Sequence, residues 1–359
     1  MENLLDSKIS KFFILTIYLL ISSFIFVVLF GLLFSVETFK TLIFVIGFLG
    51  LLIMPIIYII RGKVNTKFEI IILSLVIFSL LQGFQLNYAN DGNYKLRCLD
   101  DCTRYNYNPL NVIQEKEFLN TGFKLAWFLS IPQEQLSKFK DIELKYEKSV
   151  LIDLPSQIPN ATINQKEQKY IIYKPTKAKK DKLLIVLHGN AGGFQLYQKF
   201  FKQFADKYNV QVATPAFGWG NWYEIGGTEL IYNTYNDLLA KQEITKDTEV
   251  IIIGLSAGGW GLTRAVYYDN QGIFDKVVYI SAVMENGIME SPEFIKNSKN
   301  KKFYVIQGKV DDRVFYKSFL ECQQYLQNPK TLIFDDGDHF IMLNKEKEVV
   351  SFMEKVIEK

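Results

Sequence analysis

Glu249–Gly259 reads EVIIIGLSAGG. Glu249–Ile253 is a short, almost continuous β-branched run of the kind that forms a strand buried on both faces. The run breaks into Gly254-Leu255-Ser256-Ala257-Gly258-Gly259, and a helical pattern follows over Gly259–Tyr268. Glycines on either side of one serine let the chain turn sharply between strand and helix. That turn projects Ser256 Oγ above the sheet at a helix N-terminus. A Gly-x-Ser-x-Gly pattern alone arises by chance in about one chain in ten of this length. The strand before it and the helix after it are what make the reading specific. A serine that merely caps a helix after a glycine-rich turn is the plainer alternative.

Outward from this stretch, strands and helices alternate from about Val150 onward. Strand-like runs occupy Tyr170–Tyr173, Leu183–Leu187, Val210–Thr214, Glu249–Ile253, Lys276–Ile280, Phe303–Ile306 and Thr331–Phe334. Helical patterns fall at Leu196–Tyr208, Glu229–Gln242, Gly259–Tyr268, Lys317–Leu326 and Lys345–Ile357. This alternation predicts a mostly parallel sheet covered by helices on both faces, with its chemistry at the carboxyl ends of the strands.

A serine hydroxyl needs an adjacent base to act as a nucleophile. The chain holds only two histidines. His339 stands in DDGDHF directly after the strand Thr331–Phe334, where it suits that base. The imidazole in turn needs a carboxylate to orient it. GKVDDRV follows the strand Phe303–Ile306 and offers Asp311, the preferred acid, and its neighbour Asp312. The second histidine lies in LLIVLHGNAGG, Leu183–Gly193. Its glycines allow a loop to approach a substrate closely, so that the Asn190 N–H and the Ala257 N–H form an oxyanion hole. His188 then pins that loop through hydrogen bonds and takes no part in proton transfer.

HGNAGG, GLSAGG, GKVDDRV and DGDHF stand in the chain order that resembles the α/β-hydrolases, over residues 150–359. The HGNAG form is similar to membrane-anchored α/β-hydrolase-domain lipases and acyl-protein thioesterases. The resemblance implies an α/β-hydrolase fold, a Ser256–Asp311–His339 triad, an acyl-enzyme intermediate, and neither metal nor cofactor. One loop departs from those relatives: after Val210–Thr214 the chain reads AFGWGNWYEIGGTEL, a segment placed to shape the substrate pocket. Trp219, Trp222 and Trp260 are candidates to line it, with ordinary packing as the alternative. Ser281–Asn300 is short where relatives insert a lid, which predicts an open or lightly covered site.

The first quarter of the chain is far more apolar than the rest. Phe12–Val36, Thr41–Ile60 and Phe68–Leu86 each match the roughly 20 apolar residues that cross a bilayer. They predict three transmembrane helices over residues 1–86, a membrane-proximal linker over 87–149 and the catalytic domain over 150–359. Pro55 is tolerated in a membrane helix. Lys8 and Lys11 precede the first span, while Arg61, Lys63 and Lys67 separate the second and third. This places the N-terminus in the cytoplasm and the catalytic domain on the outer side. In that compartment Cys98 and Cys102 would form a disulfide; two unpaired thiols are the alternative. The apolar tract over 118–129 suits either a membrane interface or packing on the next domain.

In a chain of 359 residues a net charge of +3, unclustered, gives no nucleic-acid footprint, and three cysteines exclude a disulfide-stapled scaffold and a four-cysteine zinc site. The expected partners are therefore the lipid bilayer and a small-molecule or lipid acyl ester. The competing functional readings are a serine peptidase on the same fold and a non-catalytic hydrolase-fold binding module. A transporter would need ionisable residues in mid-span, and none stands there.

Overall fold

The computed structural model describes residues 8–34, 39–82, 84–86, 89–91, 93–99, 105–107, 113, 117, 121, 168–190, 194–218, 220 and 222–358. The chain divides into two compact units, residues 1–85 with 106–143 and residues 86–105 with 144–359.

In the first unit the helices are α1 (Lys8–Leu33), α2 (Phe39–Arg61) and α3 (Thr66–Leu81). Among the described residues only α2 is by itself long and apolar enough to cross a membrane, and it runs on through Pro55. α1 bends by 62° between Phe12–Leu20 and Ile25–Leu33, so it is a span only if its two halves count together. The third expected span is corrected. α3 has 16 residues and ends at the C-cap Gln82, and Phe84–Leu86 is a short strand, β1. At 1.5 Å per residue α3 reaches about 24 Å, short of the roughly 30 Å hydrocarbon core. Hydropathy ran on through Leu86 because it records only apolar content, whereas the change of backbone at Gln82 is a matter of hydrogen bonding. A Cβ at Gly50 would lie 2.3 Å from Ile72 Cδ1, so α2 and α3 pack through a small residue. Leu29, Leu32, Phe44, Val45 and Ile113 form the buried cluster of this unit, while Phe12, Phe30, Phe39, Ile60 and Leu81 are exposed. Except for Thr121, the tract 118–129 lies outside the described residues.

The second unit is a nine-stranded sheet in the order β11-β10-β9-β8-β6-β7-β5-β3-β2. Its strands are β2 (Ala89–Asp91), β3 (Tyr94–Cys98), β5 (Lys169–Tyr173), β6 (Lys182–Leu187), β7 (Gln211–Ala216), β8 (Glu249–Leu255), β9 (Lys276–Ile280), β10 (Lys302–Gly308) and β11 (Lys330–Phe334); β4 is the separate short strand Tyr105–Tyr107. All seven strands expected after Val150 are present. From β7 through β6, β8, β9 and β10 to β11 every pairing is parallel, whereas β5, β3 and β2 add on antiparallel.

Alternation explains the unbroken apolar runs. Leu183, Ile185, Leu187, Val250 and Ile252 join one buried cluster, while Leu184, Val186, Ile251, Ile253 and Leu255 join the other. The first face is covered by α5 (Ile225–Ala240), α6 (Gly258–Tyr268), α8 (Pro292–Ser298) and α9 (Tyr316–Cys322). The second is covered by α4 (Phe194–Tyr208), α10 (Ile341–Asn344) and α11 (Glu346–Glu358). A further short helix, α7, is Asn286–Met289. Each fully buried aliphatic side chain contributes about 1.5–3 kcal/mol.

Two strands, β2 and β3, come from the segment read as a linker. β3 pairs with β5 along Tyr94–Cys98, and Arg97 ties it to the body of the unit. The guanidinium donates to Glu243 Oε1 at 2.5 Å and to the Tyr170 hydroxyl at 2.9 Å, and that hydroxyl donates to Asp237 Oδ2 at 2.5 Å. Cys98 is disulfide-bonded, whereas Cys322 is a buried free thiol. The expected partner, Cys102, lies outside the described residues.

Candidate active site

β8 delivers Ser256 at its carboxyl end in a backbone conformation that a side chain rarely adopts, φ +49°. The strained turn is braced from both sides by the exit of β9. Ser256 N–H donates to Ile280 O at 3.3 Å, and Val283 N–H donates to Ser256 O at 2.9 Å. Glycine is needed at 258 because a Cβ there would meet Leu187 O at 2.4 Å. α6 begins directly after this turn, with Ala257 as its N-cap residue.

The strand exits on one side of β8 bring the other two residues in. His339 Nε2 lies 2.9 Å from Ser256 Oγ, and His339 Nδ1 lies 3.0 Å and 3.1 Å from the two Asp311 oxygens. A carboxylate accepts, so Nδ1 carries the proton and Nε2 is left to accept from the serine hydroxyl. Asp311 is buried and held by more than the histidine. The N–H groups of Val314 and Arg313 donate to its Oδ1 at 2.8 Å and 3.0 Å. Burial alone would raise this carboxyl, but the His339 bond, its charge and the two backbone N–H groups outweigh burial and keep it below the usual carboxylate range. Asp312 is exposed and stands outside this network.

The two loops that carry Asp311 and His339 are cross-tied. Lys309 N–H donates to Phe334 O at 2.9 Å and Val310 N–H donates to Gly337 O at 3.1 Å. Asp338 accepts from Phe340 N–H at 2.8 Å and from Asn344 Nδ2 at 3.0 Å, which fixes the turn around His339. A residue missed in the sequence completes the support. Gln307, buried at the end of β10, donates through Nε2 to Val314 O at 2.9 Å and to Asp311 Oδ2 at 3.3 Å. Its signal was a lone amide in the apolar run FYVIQG.

His188 makes the loop hydrogen bonds expected of it. Its Nε2 accepts from Phe217 N–H at 2.9 Å, so its Nδ1 is the protonated nitrogen and donates to Gly189 O at 2.8 Å. Burial pushes the imidazole down to about 4. Asn190 is exposed at the end of this turn. No acceptor for the Asn190 or Ala257 N–H is present among the described residues. Trp222 does not line a pocket. It is fully buried, donates from Nε1 to His188 O at 2.8 Å, and packs against the tilted Phe217 ring at 5.4 Å. Trp260 is half-buried and meets the Tyr223 ring edge-on at 5.4 Å. Trp219 lies outside the described residues.

A serine turn after the central parallel strand, an acid after β10 and a histidine after β11 on this sheet order decide the architecture. The chain has the α/β-hydrolase fold. No family model matches the chain. No curated protein matches it either. Among solved structures, the α/β-hydrolase unit is similar to a predicted CIB-like hydrolase from Thermoplasma acidophilum at 16% identity, with 54% of this chain and 95% of that one covered and a TM-score of 0.42. It is similar also to Est1E from Butyrivibrio proteoclasticus at 15% identity, covering 54% and 96% with a TM-score of 0.43. A ferulic acid esterase is similar at 16% identity, covering 53% and 92% with a TM-score of 0.41.

Proposed function

We propose that the protein is a membrane-anchored serine hydrolase that cleaves carboxylic esters or thioesters carrying an acyl chain. The observation that carries this reading is the unbroken hydrogen-bonded series from Asp311 through His339 to Ser256 Oγ. Ser256 Oγ attacks the acyl carbon as its proton passes to His339 Nε2, and Asp311 stabilises the imidazolium that forms. The carbonyl oxygen becomes an oxyanion that the N–H groups of Ala257 and Asn190 stabilise. His339 then returns the proton to the departing alcohol or thiol, leaving acyl-Ser256. Water, giving a proton to the same nitrogen, releases the acid and restores the serine.

The apolar helix α2 and the exposed apolar faces of α1 and α3 support anchoring, with α1 as a second span where its two halves count together. Lys8 and Lys11 before α1 and Arg61, Lys63 and Lys67 after α2 support a cytoplasmic N-terminus, and the hydrolase unit is exported only with an odd number of spans. A bilayer then offers lipids and acylated proteins at high local concentration, from which a soluble substrate gains nothing.

The test is labelling of the full chain in detergent with a fluorophosphonate. Wild-type chain is labelled, and Ser256→Ala and His339→Ala are not, with turnover falling by about 10³-fold or more. An unlabelled wild-type chain would leave the non-catalytic binding module as the better reading. Faster cleavage of peptide amides than of esters would move the enzyme to the peptidases.

A further inference from the structure

The proposed oxyanion hole draws its two donors from different strands, and the inference drawn here rests on that reading. Ala257 belongs to the turn between β8 and α6, whereas Asn190 belongs to the turn after β6. Donors act on a developing oxyanion only when their placement holds to within about 0.5 Å. The spacing of these two is therefore set by whatever joins the two turns.

We propose that Arg264 is a positioning residue that holds the Asn190 turn in register with the Ser256–Ala257 turn, by way of Tyr223, Trp222 and Gly220. Arg264 lies on α6, about two helical turns beyond Ala257. Its Nη1 donates to Tyr223 O at 2.5 Å. Its Nε and Nη2 donate to Glu285 Oε2 and Oε1 at 3.0 Å and 2.8 Å. Glu285 follows the β9 exit whose Val283 N–H already braces Ser256.

From Tyr223 the linkage runs back to the other turn. Trp222 packs on α6, because a Cβ at Gly261 would lie 3.0 Å from its ring, and its Nε1–H reaches His188 O. Gly220, at φ +91°, rests directly on the turn itself. A Cβ there would lie 2.7 Å from Gly189 O and 3.1 Å from Asn190 Cα. Phe217 N–H closes the arrangement on the His188 ring. Arg264 thus ties the helix of the nucleophile, the exit of β9 and the exit of β7, and the last of these presses on Asn190. Its charge is met by a two-bonded carboxylate and its remaining face by a carbonyl. That is the construction of a tie, not of an anchor for a substrate carboxylate.

The test is steady-state hydrolysis of p-nitrophenyl butyrate by the full chain in detergent, with binding of an alkyl trifluoromethyl ketone. That ketone adds Ser256 Oγ at its carbonyl carbon, so its oxygen becomes the oxyanion and the serine proton goes to His339. A partly exposed ion pair contributes little to global stability. Arg264→Met should therefore keep its melting temperature within a few degrees and its KM within about twofold. Its kcat should fall by about tenfold or more, since one oxyanion donor carries about 10²–10³ in kcat, and ketone affinity should fall in parallel. Arg264→Lys, with one ammonium in place of the fork, should lie between. Arg264→Glu with Glu285→Arg restores an ion pair but not the bond to Tyr223 O, and should stay impaired. Wild-type kcat and ketone affinity in Arg264→Met would overturn the inference, as would full rescue by the charge exchange. Absence of activity in the wild-type chain is a separate result, and it overturns the proposed function itself.

Discussion

Acid should weaken this protein through His188. The ring is 1% exposed, with both nitrogens engaged in the neutral tautomer, and burial holds it down to about 4. In the unfolded chain an imidazole titrates near 6.5. Above about pH 6.5 neither state is protonated, and folding costs nothing at this site. As pH falls from there toward 4, the unfolded chain binds a proton that the native chain refuses, so stability falls with pH. Integrating between those two values gives a loss of about 2 kcal/mol at pH 5, approaching about 3 kcal/mol below pH 4. Urea unfolding in detergent, followed by tryptophan fluorescence at pH 7.5 and pH 5, measures it. His188→Gln keeps an acceptor and a donor but does not titrate, so the difference between the two proteins isolates the histidine. Wild type should lose about 2 kcal/mol more than the variant over that interval. A difference that stays flat would show that His188 gains its proton in the folded chain at ordinary pH, and the tautomer assignment would fall with it.

Three further outcomes are expected. Asp311→Asn should lower kcat by about 10⁴-fold, whereas Asp312→Asn, outside the network, should stay within about twofold of wild type; the reverse order would relocate the acid. Gly220→Ala forces a Cβ onto Gly189 O at a backbone angle reserved for glycine, so kcat should fall in steady-state assays of that variant, and an unchanged kcat would free the Asn190 turn from this contact. Across p-nitrophenyl esters from acetyl to palmitoyl, each methylene buried is worth about 0.8 kcal/mol, so kcat/KM should climb beyond acetyl until the pocket is filled; a sharp preference for acetyl would argue for a small-ester enzyme.

The residues of the proposed triad were legible because each sits at a boundary that the sequence marks. Ser256 breaks an apolar run with glycines, Asp311 follows FYVIQGKV, and His339 follows TLIFDDGD. Their supports were much harder to read. Arg97 pairs with Glu243 across 146 positions, and Trp222 bonds to His188 across 34. No local pattern announces such a contact. β3 reads YKLRC, with Lys95 and Arg97 interrupting the apolar residues, so it lacks the continuous run of a strand buried on both faces. Its place is set by pairing with β5 and by the carboxylates that meet Arg97.

By itself the sequence determined the alternating strands and helices, their order, and the residues at the strand exits. These follow from burial on both faces and from the turn chemistry of glycine, both local properties of the chain. Tertiary structure decided the rest. It chose Asp311 over Asp312, because only one of two adjacent carboxylates turns inward to meet a ring nitrogen and two backbone N–H groups. It made Trp222 a strut of the His188 turn instead of a pocket wall. In each case the deciding quantity was a hydrogen bond to a distant residue, His339 for Asp311 and His188 for Trp222, and side-chain polarity read along one strand or helix does not carry that information.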